Sequence, residues 1–333
     1  MDKPRRKFMR NLGIAGLSAF PGRNLLNARS NEEYILKRQI LTRQTDPTTP
    51  KIEEARKAGL EILKPSKKDL EHGLELHANS IVFDTYGFMP RAAVDGQRLA
   101  QAVADNASPL EIDDLREDQT MSRFVDHERE RLEFITNWKA SGVTAIFQNA
   151  GEESNNVQVL LKRLARFTYA TDMMPEVLQK TLTAEAILAA KKNNLHAVCL
   201  SGNGVPMPLD LVSLEEELRY IRIFYQLGIR MMHLTYNRRN LIGDGCAEPA
   251  NGGLSDFGRA VVKEMNRVGV IVDIAHSGWQ TSLEAAQISE KPIVASHTTC
   301  DALYHHIRAK PDEVIKTIAD KEGYISICCI PRF

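Results

Sequence analysis

A chain of 333 residues in which 43 Lys and Arg balance 43 Asp and Glu carries no net charge, which argues against a nucleic-acid binder or a strongly acidic partner. Its 43% hydrophobic and 26% charged residues are ordinary for a soluble globular chain, and the length fits one α/β barrel of about 250 residues with an N-terminal extension. Five cysteines, at 199, 246, 300, 328 and 329, form no CxxC pair. The odd count argues against a complete disulfide framework while leaving room for one pair, and Cys328 and Cys329, adjacent in an apolar run, are expected to be buried thiols.

Residues 1–30 read as an export signal. Arg5 and Arg6 precede Lys7, Phe8 and Met9, a pattern that resembles the twin-arginine consensus, and a mildly apolar stretch from Leu12 to Phe20 follows. That stretch is too short for a spanning helix of about 20 residues. The other reading is a plain basic tail. A twin-arginine signal implies the corresponding export machinery as a partner and delivery of a folded protein to the bacterial periplasm or cell envelope. No later segment is apolar enough for a transmembrane helix.

Residues 31–79 are charged, with Ile52, Ala55, Leu60 and Leu63 spaced for one buried helical face. Pro65 interrupts the run, and Lys68–His77 reads as a second helix, so this region is expected to be a helical extension of a barrel formed by residues 80–333. Ser80–Tyr86 is the first strand. The polar stretch Asp95–Asp126 is expected to cover the barrel mouth with loops and helices. Glu128–Ala140 is a helix and Val143–Phe147 the second strand. Helices Val157–Tyr169 and Ala184–Lys192 precede the third strand, Leu195–Leu200. Helix Leu214–Leu227 stops at Gly228 and leads to the fourth strand, Met231–Thr235.

The stretch from Gly253 to His297 carries the chemistry. Ser255 can cap a helix whose apolar face is Phe257, Val261, Met265 and Val268, and Gly269 can end it. Val270–Ile274 and Ile293–Ala295 are short apolar runs, as expected of strands buried on both faces. Two strands joined by a helical crossover run parallel, so His276 and His297, which follow them, share the carboxyl edge of one sheet, where α/β folds place their active sites. A single strand-end histidine is ordinarily a hydrogen-bonded core residue; a pair at equivalent positions points to a metal or catalytic site. Asp273, three residues before His276, is expected to face away from it. Pro311–Ala319 is a further helix and Tyr324–Cys329 a seventh strand. A TIM-like (β/α)8 barrel needs eight, so the expectation is a chain lacking its last strand.

The motifs YQLGIRMMHLTYN, GLSDFGRAVVKEMNRVGVIVDIAHSG, PIVASHT and IRAKPDEVI resemble those of the membrane (renal) dipeptidases, zinc metallopeptidases built on an α/β barrel. The resemblance runs from about Asp84 to Ile327. It implies that His276 and His297 are zinc ligands, that Arg308 pairs with a dipeptide carboxylate, and that Tyr236 replaces a substrate-binding histidine. It also exposes departures. Within Asp84-Thr85-Tyr86-Gly87-Phe88-Met89-Pro90, Tyr86 and Phe88 stand where the family has its first histidine and aspartate ligands, and Ser201 stands at the bridging glutamate. Phenylalanine offers no lone pair, and serine and neutral tyrosine are poor zinc ligands. At most one weakly held zinc ion is expected, with a third ligand from Asp244, Asp84 or a missing C-terminal segment. Three functions stay open: a dipeptidase-like hydrolase of dipeptides or related small amides with a degenerate metal site, an inactive relative that binds a peptide or small carboxylate, and a single-metal enzyme of different specificity. A homodimer is compatible with each. His305 and His306 are expected to be loop residues, and Gly202-Asn203-Gly204 a simple turn after the third strand.

Overall fold

The computed structural model describes residues 49–151, 156–210 and 212–330, all within a compact unit that starts at Asp46. The export-signal segment and the first part of the N-terminal extension lie outside the described residues. Two helices lead in. The side chain of Thr49 accepts from Ile52 N and Pro50 fixes the first turn of α1 (Pro50–Leu63), which ends where Lys64 turns left-handed at φ 45°. Ser66 caps α2 (Lys67–Asn79) in the same way. The expected buried face of α1 is not realised. Neither helix contains a buried residue, and Leu63 is 76% exposed.

The remainder alternates strands and helices: β1 (Phe83–Gly87), α3 (Gly96–Ala104), α4 (Pro109–Asp126), α5 (Glu128–Ser141), β2 (Ala145–Asn149), α6 (Val157–Met173), β3 (Leu178–Lys180), α7 (Ala184–Lys192) and β4 (His196–Gly202). Then follow α8 (Leu214–Gln226), β5 (Ile229–His233), α9 (Asp256–Val268), β6 (Ile271–Asp273), α10 (Trp279–Ile288), β7 (Val294–Thr298), α11 (Asp312–Asp320) and β8 (Tyr324–Ile327). All strand pairs are parallel, in the order β1-β2-β4-β5-β6-β7-β8. The seven strands expected from sequence are the seven on that path. A further strand, β3, was not expected; its three residues share the free edge of β4 with β5, at the amino-terminal end.

The result is a nearly closed parallel barrel. Phe83, Phe147, Cys199, Met231, Ile271, Val294 and Tyr324, one from each strand of the path, meet inside it. Of these Phe147, Met231 and Val294 are buried, and full burial of side chains of that size stabilises by about 1.5–3 kcal/mol each. Among the described residues β1 and β8 form no ladder. Instead the Thr85 hydroxyl donates to the Ser296 carbonyl at 3.0 Å, tying β1 to β7.

Helix α9 follows its sequence cues closely. Ser255 Oγ accepts from Gly258 N at 2.9 Å, and Gly269 closes the helix at φ 97°, a conformation that favours glycine. All five cysteines are free, but the expected burial of Cys328 and Cys329 fails: Cys328 is half-buried and Cys329 exposed, past the end of the strand at Ile327, where Cys328 N still donates to Thr298 O at 2.8 Å. No helix among the described residues is long and apolar enough to cross a membrane.

Candidate metal centre

Side chains on a strand alternate between faces, so His233 shares the inward face of β5 with Met231, and Asp273 that of β6 with Ile271. The two are direct partners in the β5–β6 register. Both are fully buried, and His233 Nε2 lies 2.7 Å from Asp273 Oδ2. The approach lacks hydrogen-bond alignment, and neither atom has another hydrogen-bond partner. Their remaining polar atoms are used. Asp273 Oδ1 accepts from Ala275 N at 3.0 Å and Ser296 N at 3.1 Å. His233 Nδ1 meets Asn203 Oδ1 at 3.1 Å, and the Tyr86 hydroxyl donates to the same oxygen. Burial would raise the Asp273 carboxyl, but His233 beside it overrides that and holds it below the usual carboxylate range.

His276 and His297 face each other across the adjoining turns, Nε2 to Nε2, at 3.0 Å. Asn237 Oδ1 accepts from His276 Nδ1 at 2.9 Å, which leaves the His276 Nε2 lone pair facing its partner. Ser296 Oγ lies 2.8 Å from His297 Nδ1 and completes the chain. Burial, then the neighbouring His233, pushes His297 down to about 3, and the same causes lower His276. Both imidazoles are therefore neutral near pH 7, the form that binds metal. His233, Asp273 and His297 bring three ligand atoms within 4.8 Å of one another, the one such group of three or more among the described residues.

A cavity of about 1140 Å³ opens above the pair, floored by His276, His297, Tyr236 and Arg308. Tyr236 stacks on His276 at 4.0 Å between centroids and Tyr86 on His297 at 4.3 Å. Phe88 is half-exposed at the rim under the Arg91 guanidinium, which sits 4.7 Å from its centroid. Ser201 is buried, its hydroxyl donating to Gln148 O at 3.2 Å. Arg308 is buried and donates from Nε to Ala275 O at 3.4 Å and from Nη2 to His297 O at 3.2 Å. Behind it, Lys310 is wholly buried and pushed down to about 7 by that burial, with Nζ donating to Ser277 O at 2.6 Å and Ser282 Oγ at 3.0 Å.

Residues 75–333 match the profile of the membrane dipeptidases, peptidase family M19. The chain belongs to the membrane dipeptidase family. Over 113 residues it is 38% identical to dipeptidase tcpJ of Claviceps purpurea, a stretch covering 33% of this chain and 27% of that protein. Over 115 residues it is 35% identical to dipeptidase aclJ of Aspergillus oryzae, covering 34% and 27%. The match thus spans about a quarter of either curated relative. An amidohydrolase from Pseudomonas aeruginosa is similar in structure, with 28% identity, a TM-score of 0.56 and coverage of 76% of this chain and 64% of that one. A metallo peptidase from Rhodobacter sphaeroides, solved with a phosphinate mimic of the dipeptide L-Ala-D-Ala, shares the fold at 18% identity, with a TM-score of 0.51 and coverage of 74% and 73%.

Within this member of the membrane dipeptidase family the expected pair, His276 and His297, is brought together, with Arg308 and Tyr236 in the same cavity. Two expectations are corrected. Asp273 faces the histidines and not away from them: β6 ends at Asp273, so the following turn breaks the strand alternation and swings His276 to the same side. Asn203 is more than part of a turn, since its buried carbonyl oxygen joins Tyr86 to His233. His233 was not expected from sequence at all. Asp244 is held by Arg239, Nε to Oδ1, at 2.5 Å and by Gly252 N at 2.7 Å, and organises its own loop. Asp84 lines the cavity and accepts from Tyr86 N at 3.2 Å. His305 pairs with Asp301 at 2.9 Å, and His306 Nδ1 accepts from Arg308 N at 3.2 Å, so both serve the loop.

Proposed function

We propose that the protein is a metal-dependent hydrolase of dipeptides or related small amides that works with one ion in place of a pair. The observation carrying this reading is the neutral His276–His297 pair, 3.0 Å apart, on the floor of a cavity that also holds Arg308. Two ligands of one tetrahedral zinc, each about 2.0–2.1 Å from it, sit about 3.3 Å apart, so a small separation of the rings fits them to an ion. Residues for a second ion do not fit. Tyr86 spends its hydroxyl on Asn203, Phe88 has no donor atom, and Ser201 gives its proton to a backbone carbonyl.

A bound ion would polarise the scissile carbonyl and lower the pKa of its water. The chain's own residues supply the rest. Arg308 lines the cavity beside the histidine pair and suits a substrate carboxylate, for which a guanidinium is the preferred planar partner. Tyr86 and Tyr236 cover the outer faces of the two imidazoles and restrict water. Their aromatic surface also favours a second reading, a relative that holds a dipeptide or small carboxylate without cleaving it. The pair of arginines at positions 5 and 6 supports export to the cell envelope as the setting.

The test is metal analysis of protein purified without chelator, paired with dipeptide hydrolysis after zinc or cobalt is restored. One ion per chain with slow hydrolysis is expected. Two tightly held ions would overturn the one-ion reading, and dipeptide binding without turnover would favour the second.

A further inference from the structure

Arg91 is a cation on the cavity wall without a counter-ion. It lies in the loop between β1 and α3 and lines the same cavity as the histidine pair and Arg308. The wall around it is otherwise matched in charge. Arg116 meets Asp113 at 2.8 Å, Lys162 is paired with Asp114, and Glu117 is shared by Arg163 and Arg166. Among the described residues Arg91 has no ion pair and no hydrogen bond; its guanidinium lies over the Phe88 ring, 4.7 Å from the centroid. It is exposed to the cavity, yet covered enough that desolvation, and then the like charge of Arg163, lowers its pKa. A stack of this kind occupies one face of the guanidinium and leaves the N–H fork at its edge open to a planar anion.

The cavity has room for such an anion beyond a dipeptide's own carboxylate. Its volume of about 1140 Å³ exceeds the roughly 300–1,000 Å³ of ordinary small-ligand pockets. A dipeptide with its terminal carboxylate on Arg308 and its amide over the histidine pair extends its amino-terminal residue away from the floor. We infer that Arg91 is a second anion subsite, which binds a side-chain carboxylate on the amino-terminal residue and makes acidic dipeptides the preferred ligands. The charges agree with this. Asp84 also lines the cavity, is in no ion pair among the described residues, and suits the peptide's ammonium group. One carboxylate and two guanidiniums complement a peptide with one amino group and two carboxylates. Phe88, which has no donor atom for a metal, gains a role as the platform under Arg91. This inference deepens the reading above and rests on it for the place of the terminal carboxylate at Arg308.

The experiment gives the full chain, purified without chelator, the peptides Glu-Ala and Gln-Ala, which match in shape and differ by one charge. The readout is kcat/KM where they are cleaved and Kd by calorimetric titration where they are bound without turnover. The wild type is expected to favour Glu-Ala about fivefold, Arg91→Gln to bring the two peptides within about twofold, and Arg91→Lys to fall between. Arg116→Gln removes a positive charge of the same wall that already has a counter-ion, and should keep the preference. Equal values for the two peptides in the wild type, a preference that survives Arg91→Gln, or an equal fall in Arg116→Gln would overturn the subsite. Cleavage of both peptides at equal kcat/KM would do so while leaving the hydrolase reading standing. A preference seen in Kd with no cleavage supports the subsite and overturns the hydrolase reading. Neither binding nor cleavage of either peptide would overturn both.

Discussion

The Tyr86 ring lies flat on the imidazole of His297, 4.3 Å between centroids and 5° between planes, while its hydroxyl reaches past to Asn203. One side chain therefore screens one histidine and helps orient the partner of another. Tyr86→Phe keeps the stack and removes the hydrogen bond, an expected cost of about 1 kcal/mol in urea denaturation. Tyr86→Ala removes both, and the open face of His297 should then react faster with diethylpyrocarbonate than in Tyr86→Phe. Equal reactivity in the two variants would show that the stack does not screen the ring.

Arg308 is tied to both histidine-bearing turns. It donates to the carbonyl of Ala275, the residue before His276, and to the carbonyl of His297 itself. A side chain meant only for substrate would not need these bonds. Arg308→Met should leave two buried carbonyls short of a donor, at about 1–3 kcal/mol each. The expected outcome is a lower unfolding midpoint and weaker metal binding in the absence of any substrate, with Arg308→Lys intermediate. If only the substrate KM changes, Arg308 does not position the histidines.

How much of this was legible in the sequence depends on the range of the signal. Helix α9 was readable to the residue, because a serine cap, an apolar stripe and a terminal glycine all act within the helix. The approach of His276 to His297 was readable because a helical crossover forces strands β6 and β7 to run parallel. His233 was not. It sits in the apolar run RMMHLT, and its role depends on register with Asp273, forty residues away, which no local pattern encodes. Strict strand alternation was wrongly extended past Asp273, where the backbone had already turned. The exposed face of α1 failed for the opposite reason: helical periodicity records an amphipathic pattern and does not supply a surface to cover it.

His196 predicts a pH dependence away from the metal centre. It packs on Trp138 at 4.7 Å between centroids, and its Nδ1 donates to Val143 O at 2.8 Å. Burial pushes it down from 6.5 to about 4. Between those values the unfolded chain binds a proton that the folded chain refuses, so stability falls as pH drops through this window and levels off below about 4. From pH 7 to pH 5 the expected loss is about 2 kcal/mol. Urea unfolding at the two pH values should show it, with a smaller loss in His196→Asn. An equal loss in the variant would mean that other groups carry the whole effect.

Two glycines should respond to alanine with opposite signs. In a helix interior Ala is favoured over Gly by about 1 kcal/mol. Gly73, in α2, has open space where a Cβ would go, so Gly73→Ala should raise the unfolding midpoint by up to that amount. Gly258, in the first turn of α9, has the Ile242 carbonyl pressed against the same position. That oxygen also accepts from Ser255 N at 2.9 Å, so the loop cannot withdraw without loosening the cap. A methyl group there must push α9 off the loop, and overpacking of this kind typically costs about 1–3 kcal/mol. The contact outweighs the propensity gain, and Gly258→Ala should lower the midpoint. A stabilised Gly258→Ala would mean that the loop from Ile242 to Leu254 yields freely, and with it the seat of α9 against the β5–β6 edge.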